Sequence, residues 1–416
     1  MLPLEGIRVL ALETYYAGNI GSLVFARFGA DVIKIENPGA GDALRTVGPS
    51  VVKDGRRRSM SEIRVMGGKK SVAIDLRQPE GRAIFMDLVA KSDVVWSNMR
   101  AQSLIGLGLT FESLKAANPR IVYATLTGFG HGDVVSGGPY GDMAAFDIIA
   151  QGVSGLQMRG ESQDGSPNYN GLAVGDHSSA MMAVLGTVLA LFRRTKDGEA
   201  QRVDVAMHDA MVNLNELPLG LASFTGQAPP RGRSGTSAPF GAFKTLDGYV
   251  NIGVGGDPIW IRFCKAIGQP DLANQPEYKT SVLRVKNAVE LDRVVAAWTA
   301  GLTSDEVVAA LARYHIPCAP ILDTLQVLES AQVKARNMVV TVDDPVAGPR
   351  RFIGNPIKMS GVDDTRADPA PDFAQHTSEV LHDVLGLNEA RIGDLAAAGI
   401  VELASSPVKS TETAGS

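Results

Sequence analysis

The stretch Gly171–Arg194, GLAVGDHSSAMMAVLGTVLALFRR, decides how the chain is read. A turn of small residues carries one acid, Asp176, and leads into a nearly unbroken apolar run from Ala180 to Phe192. A bilayer span needs about 20 apolar residues, so this shorter run predicts a buried core helix. An acid at the entrance to such a helix has two readings. It is the N-cap, its oxygen accepting a hydrogen bond from a first-turn N–H, or it is a carboxylate that meets the positive helix end while facing a cleft.

Upstream of that helix the pattern alternates. Ile7–Leu12 (IRVLAL) reads as a strand, the stretch from Ala17 to Phe28 as a helix ended by Gly29, and Asp31–Glu36 (DVIKIE) as a second strand. Helices follow at Gly81–Lys91 and Phe111–Ala117, with strands at Asp93–Ser97 and Ile121–Leu126. Repeated strand–helix–strand units of this length predict an α/β fold with a doubly wound, mostly parallel sheet, whose ligands bind at the carboxyl ends of the strands. The turn after the first strand reads ETYYAG, so the glycine fingerprint of dinucleotide sites is absent, and no Walker lysine motif occurs. Gly128–Met143 is a long glycine-rich loop, a length often used for function. A helix is expected at about Ala145–Gly155, with Phe146 and Asp147 near its start. Gln201–Ala206 reads as a strand and Asp209–Leu221 as one helix.

Composition shifts at Thr225, where TGQAPPRGRSGTSAP reads as a linker or mobile loop. Phe240–Thr245 and Tyr249–Val254 flank a hairpin signal at Leu246-Asp-Gly248, and helices are expected at Pro258–Ile267, Val289–Ala300 and Ser304–Tyr314. The last opens on a capping box, Thr303 to Glu306. Cys318–Leu322 reads as a strand, and helices are expected at Thr377–Leu385 and Ala390–Ala398. These elements divide the chain into a large domain over 1–224, a small α+β domain over 225–330, a return segment over 331–402 and a polar, disordered tail over 403–416.

Composition narrows the function. Apolar residues make up 45% and charged residues 20% of 416, and the net charge of −5 leaves no basic footprint for nucleic acid. No secretory leader pattern precedes the first strand. Cys264 and Cys318 have no CxxC partner, which fits a reducing cytoplasm. His131, His177, His208, His315, His376 and His382 show no metal-binding spacing, so no metal site is expected.

Several motifs then fall in order along the chain: IRVLAL at the start, FGADVIKIENPGAGD at 28–42, GKKSVAIDLRQPEG at 68–81, SNMR at 97–100, the Gly171 stretch, VDVAMHDAM at 203–211, LDGYVNIGVG at 246–255, IPCAPILDTLQVL at 316–328 and HTSEVLHDVLGL at 376–387. In order and spacing they resemble the class III CoA-transferases of CaiB/BaiF type, over about Gly6 to Ile400. That family includes formyl-CoA transferase, carnitine CoA-transferase and, more distantly, the α-methylacyl-CoA racemases. The resemblance implies a Rossmann-like large domain and a small domain in an interlocked homodimer. It implies no cofactor beyond coenzyme A as substrate and carrier, and acyl-CoA and a carboxylic acid as partners, with no membrane or nucleic acid.

It also assigns residues. Asp176 matches the aspartate nucleophile of the transferases, which attacks an acyl-CoA thioester and passes through an anhydride and an aspartyl-CoA thioester. Phe146 and Asp147 fall on the substrate pocket. The racemases carry a His-Asp pair there, and phenylalanine cannot transfer a proton, which argues against racemisation. The same side chains also serve plain structure, Phe146 as a core aromatic and Asp147 as a helix-start acid. Coenzyme A positions fall on Tyr16 and Ala17, on Asn37, on Ile74, Asp75, Leu76 and Arg77, and on Asn98, Met99 and Arg100. Where the family often reads NFRPG, this chain reads Asn98-Met-Arg-Ala-Gln102, and Tyr16 stands where formyl-CoA transferase has glutamine. The Arg231–Thr236 loop is a candidate active-site cover. The function expected is CoA transfer between acids. The rivals are an acyl-CoA racemase or isomerase and a non-catalytic acyl-CoA-binding member of the fold.

Overall fold

A computed structural model describes residues 1–141, 143–160, 164–232 and 235–404. The tail after 404 lies outside the described residues, as do positions 233 and 234 of the Arg231–Thr236 loop. The chain divides into two compact units. The first holds Met1–Ser154, Asn170–Leu214 and the chain from Gln332 onward; the second holds Gly155–Tyr169 and Asn215–Ala331.

In the first unit six parallel strands form the sheet: β1 (Arg8–Leu12), β2 (Asp31–Glu36), β3 (Lys70–Ile74), β4 (Val94–Ser97), β5 (Val122–Thr127) and β6 (Gln201–Ala206). Their spatial order is β3-β2-β1-β4-β5-β6, with Val401–Glu402 added antiparallel outside β3. The order reverses between β1 and β4, so the carboxyl ends of those two strands flank a crevice, the place where open α/β sheets bind ligands. The parallel-dominated α/β architecture is the one the strand–helix alternation predicts.

Strand alternation sends Leu10, Leu12 and Val95 into a core with Ile84, Phe85 and Leu88 of helix α2 (Pro79–Ala90), joined by Val380, Leu381, Ile392 and Leu395 from the C-terminal helices. Trp96, in register with Ala11, points to the opposite face. There it meets Phe25 of helix α1 (Tyr15–Arg27) edge to face at 5.2 Å and donates to the Gly18 carbonyl at 3.0 Å. A Cβ at Gly21 would stand 2.2 Å from the Trp96 ring, so this helix-to-strand approach requires glycine.

The unit holds further elements. Helix α3 (Asp147–Val153) follows the glycine-rich loop, helix α4 spans Val174–Asp197, and helix α5 (Met207–Leu214) follows β6. A hairpin of Val339–Asp344 and Gly348–Ile353 belongs to this unit as well.

Helix α4 is not wholly buried, as its apolar run suggested. Ala180, Ala183, Thr187, Ala190 and Leu191 pack inward, whereas Leu185, Leu189 and Phe192 are 58–60% exposed in the single chain. The helix also runs beyond the apolar core, and at 24 residues it is long and apolar enough to cross a membrane by length and composition. Its buried face of small residues packs against α1, β5 and β6.

The single helix read over Asp209–Leu221 is two, α5 and Glu216–Thr225, because Pro218 has no N–H to donate to the Leu214 carbonyl. The division between units falls at that break. The second unit therefore begins ten residues before the compositional shift at Thr225, and it also takes in Gly155–Tyr169. Arg159 and Arg231 explain the latter: Arg159 donates to the carbonyls of Pro229 and Pro230, and Arg231 to those of Gly160, Gly165 and Ser166. Phe240–Lys244, Tyr249–Gly253 and Cys318–Pro320 form its antiparallel sheet. Helices Asp257–Ala266, Ala288–Thr299 and Ser304–Ala312 cover a core of Val250, Ile252, Trp260, Phe263, Leu291 and Val307.

Candidate active site

The N-cap of α4 is Ala173, which has no side chain to cap with, and Asp176 sits at the third helical position. The capping reading of Asp176 is therefore corrected. The cap comes from another element: Asp147 Oδ1, at the start of α3, accepts the N–H groups of Gly175 at 2.5 Å and Asp176 at 3.1 Å. Gln151 holds the other Asp147 oxygen and also donates to the Leu172 carbonyl at 2.9 Å. A Cβ at Gly175 would lie 2.7 Å from Asp147 Oδ1, so the close approach needs glycine there.

With its helix capped from outside, the Asp176 carboxyl is left without a hydrogen-bond or ion-pair partner among the described residues. It is only partly exposed. Burial pushes it up to about 6, the neighbouring Asp147 charge pushes in the same direction, and the Arg64 guanidinium partly opposes both. The N–H groups of Gly175 and Asp176, candidates for stabilising an oxyanion beside the acid, are already taken by Asp147.

Asp176 opens on a cavity of about 1010 Å³ at the carboxyl ends of β1, β4 and β5. Of the residues read from sequence, Tyr16, Ala17, Asn98, Met99, Arg100, Phe146 and Asp176 line it. Phe146 is 65% exposed and its ring stands edge to face on Tyr15 at 5.6 Å, so it is not a core aromatic. Tyr16 bonds Ser61 Oγ through its hydroxyl at 2.8 Å and lies under the Arg64 guanidinium at 4.2 Å.

The remaining candidates stand off this cavity. Asn37 is exposed just past β2. Ile74, Asp75 and Leu76 are buried at the end of β3. Arg77 is exposed, and it grips Asp75 through two nitrogens at 2.8 and 2.9 Å, holding that carboxyl down at about 2. Burial pushes the Cys264 thiol up to about 12 and that of Cys318 to about 11, so neither is a thiolate at neutral pH.

An acid freed from capping on the wall of a large crevice is the setting of covalent transfer chemistry, and comparison with known proteins identifies the family. The sequence profile of CoA-transferase family III matches residues 4–377. The chain belongs to CoA-transferase family III. It is 34% identical over 408 residues to the succinyl-CoA–D-citramalate CoA-transferase of Chloroflexus aurantiacus, covering 96% of this chain and 98% of that one. The succinyl-CoA:mesaconate CoA-transferase of Haloarcula hispanica is 35% identical over 388 residues, 92% and 96% of the two chains. The crystal structure of a CaiB/BaiF family protein from Brucella suis superposes with a TM-score of 0.77 at 30% identity, covering 92% of this chain and 99% of that one. The protein is thus a CoA-transferase.

Three residues of this family III transferase escaped sequence reading. Gln151 was within reach, since it lies one turn from Asp147 on the same helix face. Arg64 and Tyr15 were not, because only the folded chain brings them to Tyr16 and Phe146.

Proposed function

We propose that the enzyme moves CoA from an acyl-CoA to a free carboxylic acid with Asp176 as the nucleophile. The observation that carries the reading is an acid left without a partner, pushed up to about 6, on the wall of the cavity. The Asp176 carboxylate attacks the acyl-CoA carbonyl, forming a mixed anhydride as the C–S bond breaks and CoA leaves as thiolate. The thiolate attacks the aspartyl carbonyl, and the donor acid departs with the bridging oxygen. The acceptor carboxylate then attacks the aspartyl-CoA thioester and again expels thiolate. Thiolate attack on the acceptor's acyl carbon forms the new acyl-CoA and returns Asp176. Thioester is exchanged for thioester, so the cycle draws on no ATP, metal or other cofactor.

A desolvated carboxylate is more reactive, and a closed crevice protects the anhydride from water. Asp147 acts through geometry and charge, fixing the first turn of α4 and raising the Asp176 pKa. Tyr16, Ala17, Asn98, Met99 and Arg100 hold the CoA arm, with Phe146 and Asp147 at the acid. The far end of CoA runs along the sheet edge toward Asn37 and the Ile74–Arg77 segment. The exposed Leu185, Leu189 and Phe192 face supports a homodimer, and the reducing surroundings read from the two free cysteines support a cytoplasmic location.

The experiment is transfer from succinyl-CoA, the donor in both relatives' names, to an acceptor labelled with ¹⁸O in its carboxylate. The bridging oxygen of the second anhydride stays on the enzyme, so label appears in the Asp176 peptide. Product formed with no label there rejects the aspartyl route. Racemisation has no proton donor at Phe146 to support it.

A further inference from the structure

Tyr15 opens α1 with a φ of +57°, a left-handed backbone that a bulky residue adopts only under constraint. The constraint is built beneath it. Asp42 Oδ1 accepts the Tyr15 N–H at 3.2 Å and the Thr14 hydroxyl at 3.3 Å. Asp42 is itself buried and fixed by Lys34 Nζ at 2.8 Å, Asn19 Nδ2 at 2.7 Å and the Leu44 N–H at 2.9 Å. Asn19 Nδ2 also donates to the Tyr15 carbonyl at 2.6 Å. Asn98 clamps Thr14, accepting its N–H at 3.0 Å and donating to its carbonyl at 2.8 Å.

Both peptide groups of Tyr15 are therefore held, while its ring is spent on nothing in the core. Tyr15 is 40% exposed and lines the cavity that holds Asp176, and its ring touches Phe146 edge to face. Glycine would take this backbone without strain. A ring kept there at a cost is a ring kept for a ligand. With Phe146 against it and Met143 and Ile149 lining the same cavity, it offers an apolar aromatic surface in the cavity of the reacting acid. Such a surface rewards a flat or branched carbon body, and it charges a small dianion the desolvation of its carboxylates.

We infer that Tyr15 is the residue that selects the acid, favouring one with a flat or branched apolar body over a bare diacid such as oxalate, and that Asp42 is the positioning residue that aims it. This rests on the transfer reading above.

The test measures kcat and KM for oxalate, mesaconate and benzoate as acceptors with succinyl-CoA, in the wild-type enzyme, Tyr15→Phe and Tyr15→Gly. Wild type is expected to prefer mesaconate or benzoate to oxalate by about tenfold or more in kcat/KM, and Tyr15→Phe to keep that preference. Tyr15→Gly loses it, through acceptor KM, while its Tm stays level or rises because the strain is gone. An unchanged preference in Tyr15→Gly overturns the inference, and so does an equal loss for every acceptor, which would place the ring on the CoA arm. Asp42→Asn lowers the preference in the wild-type background and leaves it unchanged in Tyr15→Gly. A ratio of two acceptors in one sample does not depend on how much protein is folded, and the two Tyr15 variants decide the matter alone where Asp42→Asn does not fold. Failure of wild type to use any acceptor rejects the transfer reading itself, and is seen before any variant is compared.

Discussion

Asp42 and Asp176 are the same side chain in opposite circumstances. Asp42 is almost wholly buried, and five donors converge on it: Lys34, Asn19, Thr14 and the N–H groups of Tyr15 and Leu44. Burial works against its charge, but Lys34 and these hydrogen bonds reverse the balance and hold it below the usual carboxylate range. Asp176 is less buried and has no such partner, so burial and Asp147 push it up to about 6. A buried carboxylate that the fold satisfies holds the chain in place. One that the fold leaves unsatisfied stores reactivity at a cost in stability, which is the usual trade at an active site.

The difference is sharpest in substitution to asparagine. Asp176→Asn should reduce transfer at least about a thousandfold, as loss of a covalent nucleophile does. The same variant should be more stable than wild type at pH 8. Because folding raises this pKa, the carboxyl's contribution is favourable below the unfolded value of 3.8 and is lost as pH rises through about 6. The full shift caps the gain near about 3 kcal/mol, and partial access of water brings it to about 1–2 kcal/mol. Urea unfolding at pH 4 and pH 8 checks this, and a variant less stable than wild type at pH 8 breaks the comparison.

Asp42→Asn should move the other way, losing about 3–5 kcal/mol at pH 7 because the buried Lys34 loses its nearer counter-ion and keeps only Glu13 at 3.6 Å, a carboxylate it shares with Lys69. Here folding lowers the pKa, so the stabilisation exists above 3.8 and fades as pH falls through the lower folded value. Wild type and variant should therefore converge in acid. A constant gap across pH would assign the loss to packing alone.

Asp147→Asn probes the link between the two kinds of acid. It keeps an oxygen for Gly175 and Asp176 but removes the charge that raises Asp176. On the proposed route transfer needs ionised Asp176 and so should rise with pH through about 6 in wild type. In the variant the midpoint should move to lower pH, with kcat down by about tenfold as the nucleophile becomes less basic. An unmoved midpoint removes Asp147 from the electrostatics of the site. The smallest effect is expected for Arg77→Ala: KM for acyl-CoA rises severalfold, with kcat and Tm unchanged. An unchanged KM takes Arg77 out of the CoA path and leaves it only its pairing with Asp75.

How much of this was legible follows from which interactions are local. Asp31–Glu36 and Gln201–Ala206 form strands over the residues read from sequence, because short apolar runs between turn residues carry their own signal. The Thr303 capping box is another local device, and both of its hydrogen bonds form. Lys70–Ile74 was passed over as a strand, since it opens on Lys70 and Ser71 and shows its character only when paired with β2. Helix α4 was legible as a helix but not as a half-exposed one, because an all-apolar run does not say which face is covered. At the site, Asp176 was picked out by its place at the helix entrance, and resemblance gave it and Asp147 their roles. That one caps the helix of the other was not legible, because it depends on contact between residues 29 apart in sequence. The strained Tyr15 left no trace, since nothing in ETYYAG marks a left-handed backbone where glycine is absent.

The central claim is that the acid left unsatisfied is the one that forms the bond. Its most direct test is intact-mass spectrometry of the enzyme mixed with succinyl-CoA and quenched with hydroxylamine or borohydride, followed by peptide mapping. The account predicts a modification on Asp176 that is absent from Asp42 and Asp147 and from the Asp176→Asn variant. Turnover with an unmodified Asp176, or a modification on another carboxyl, would contradict it.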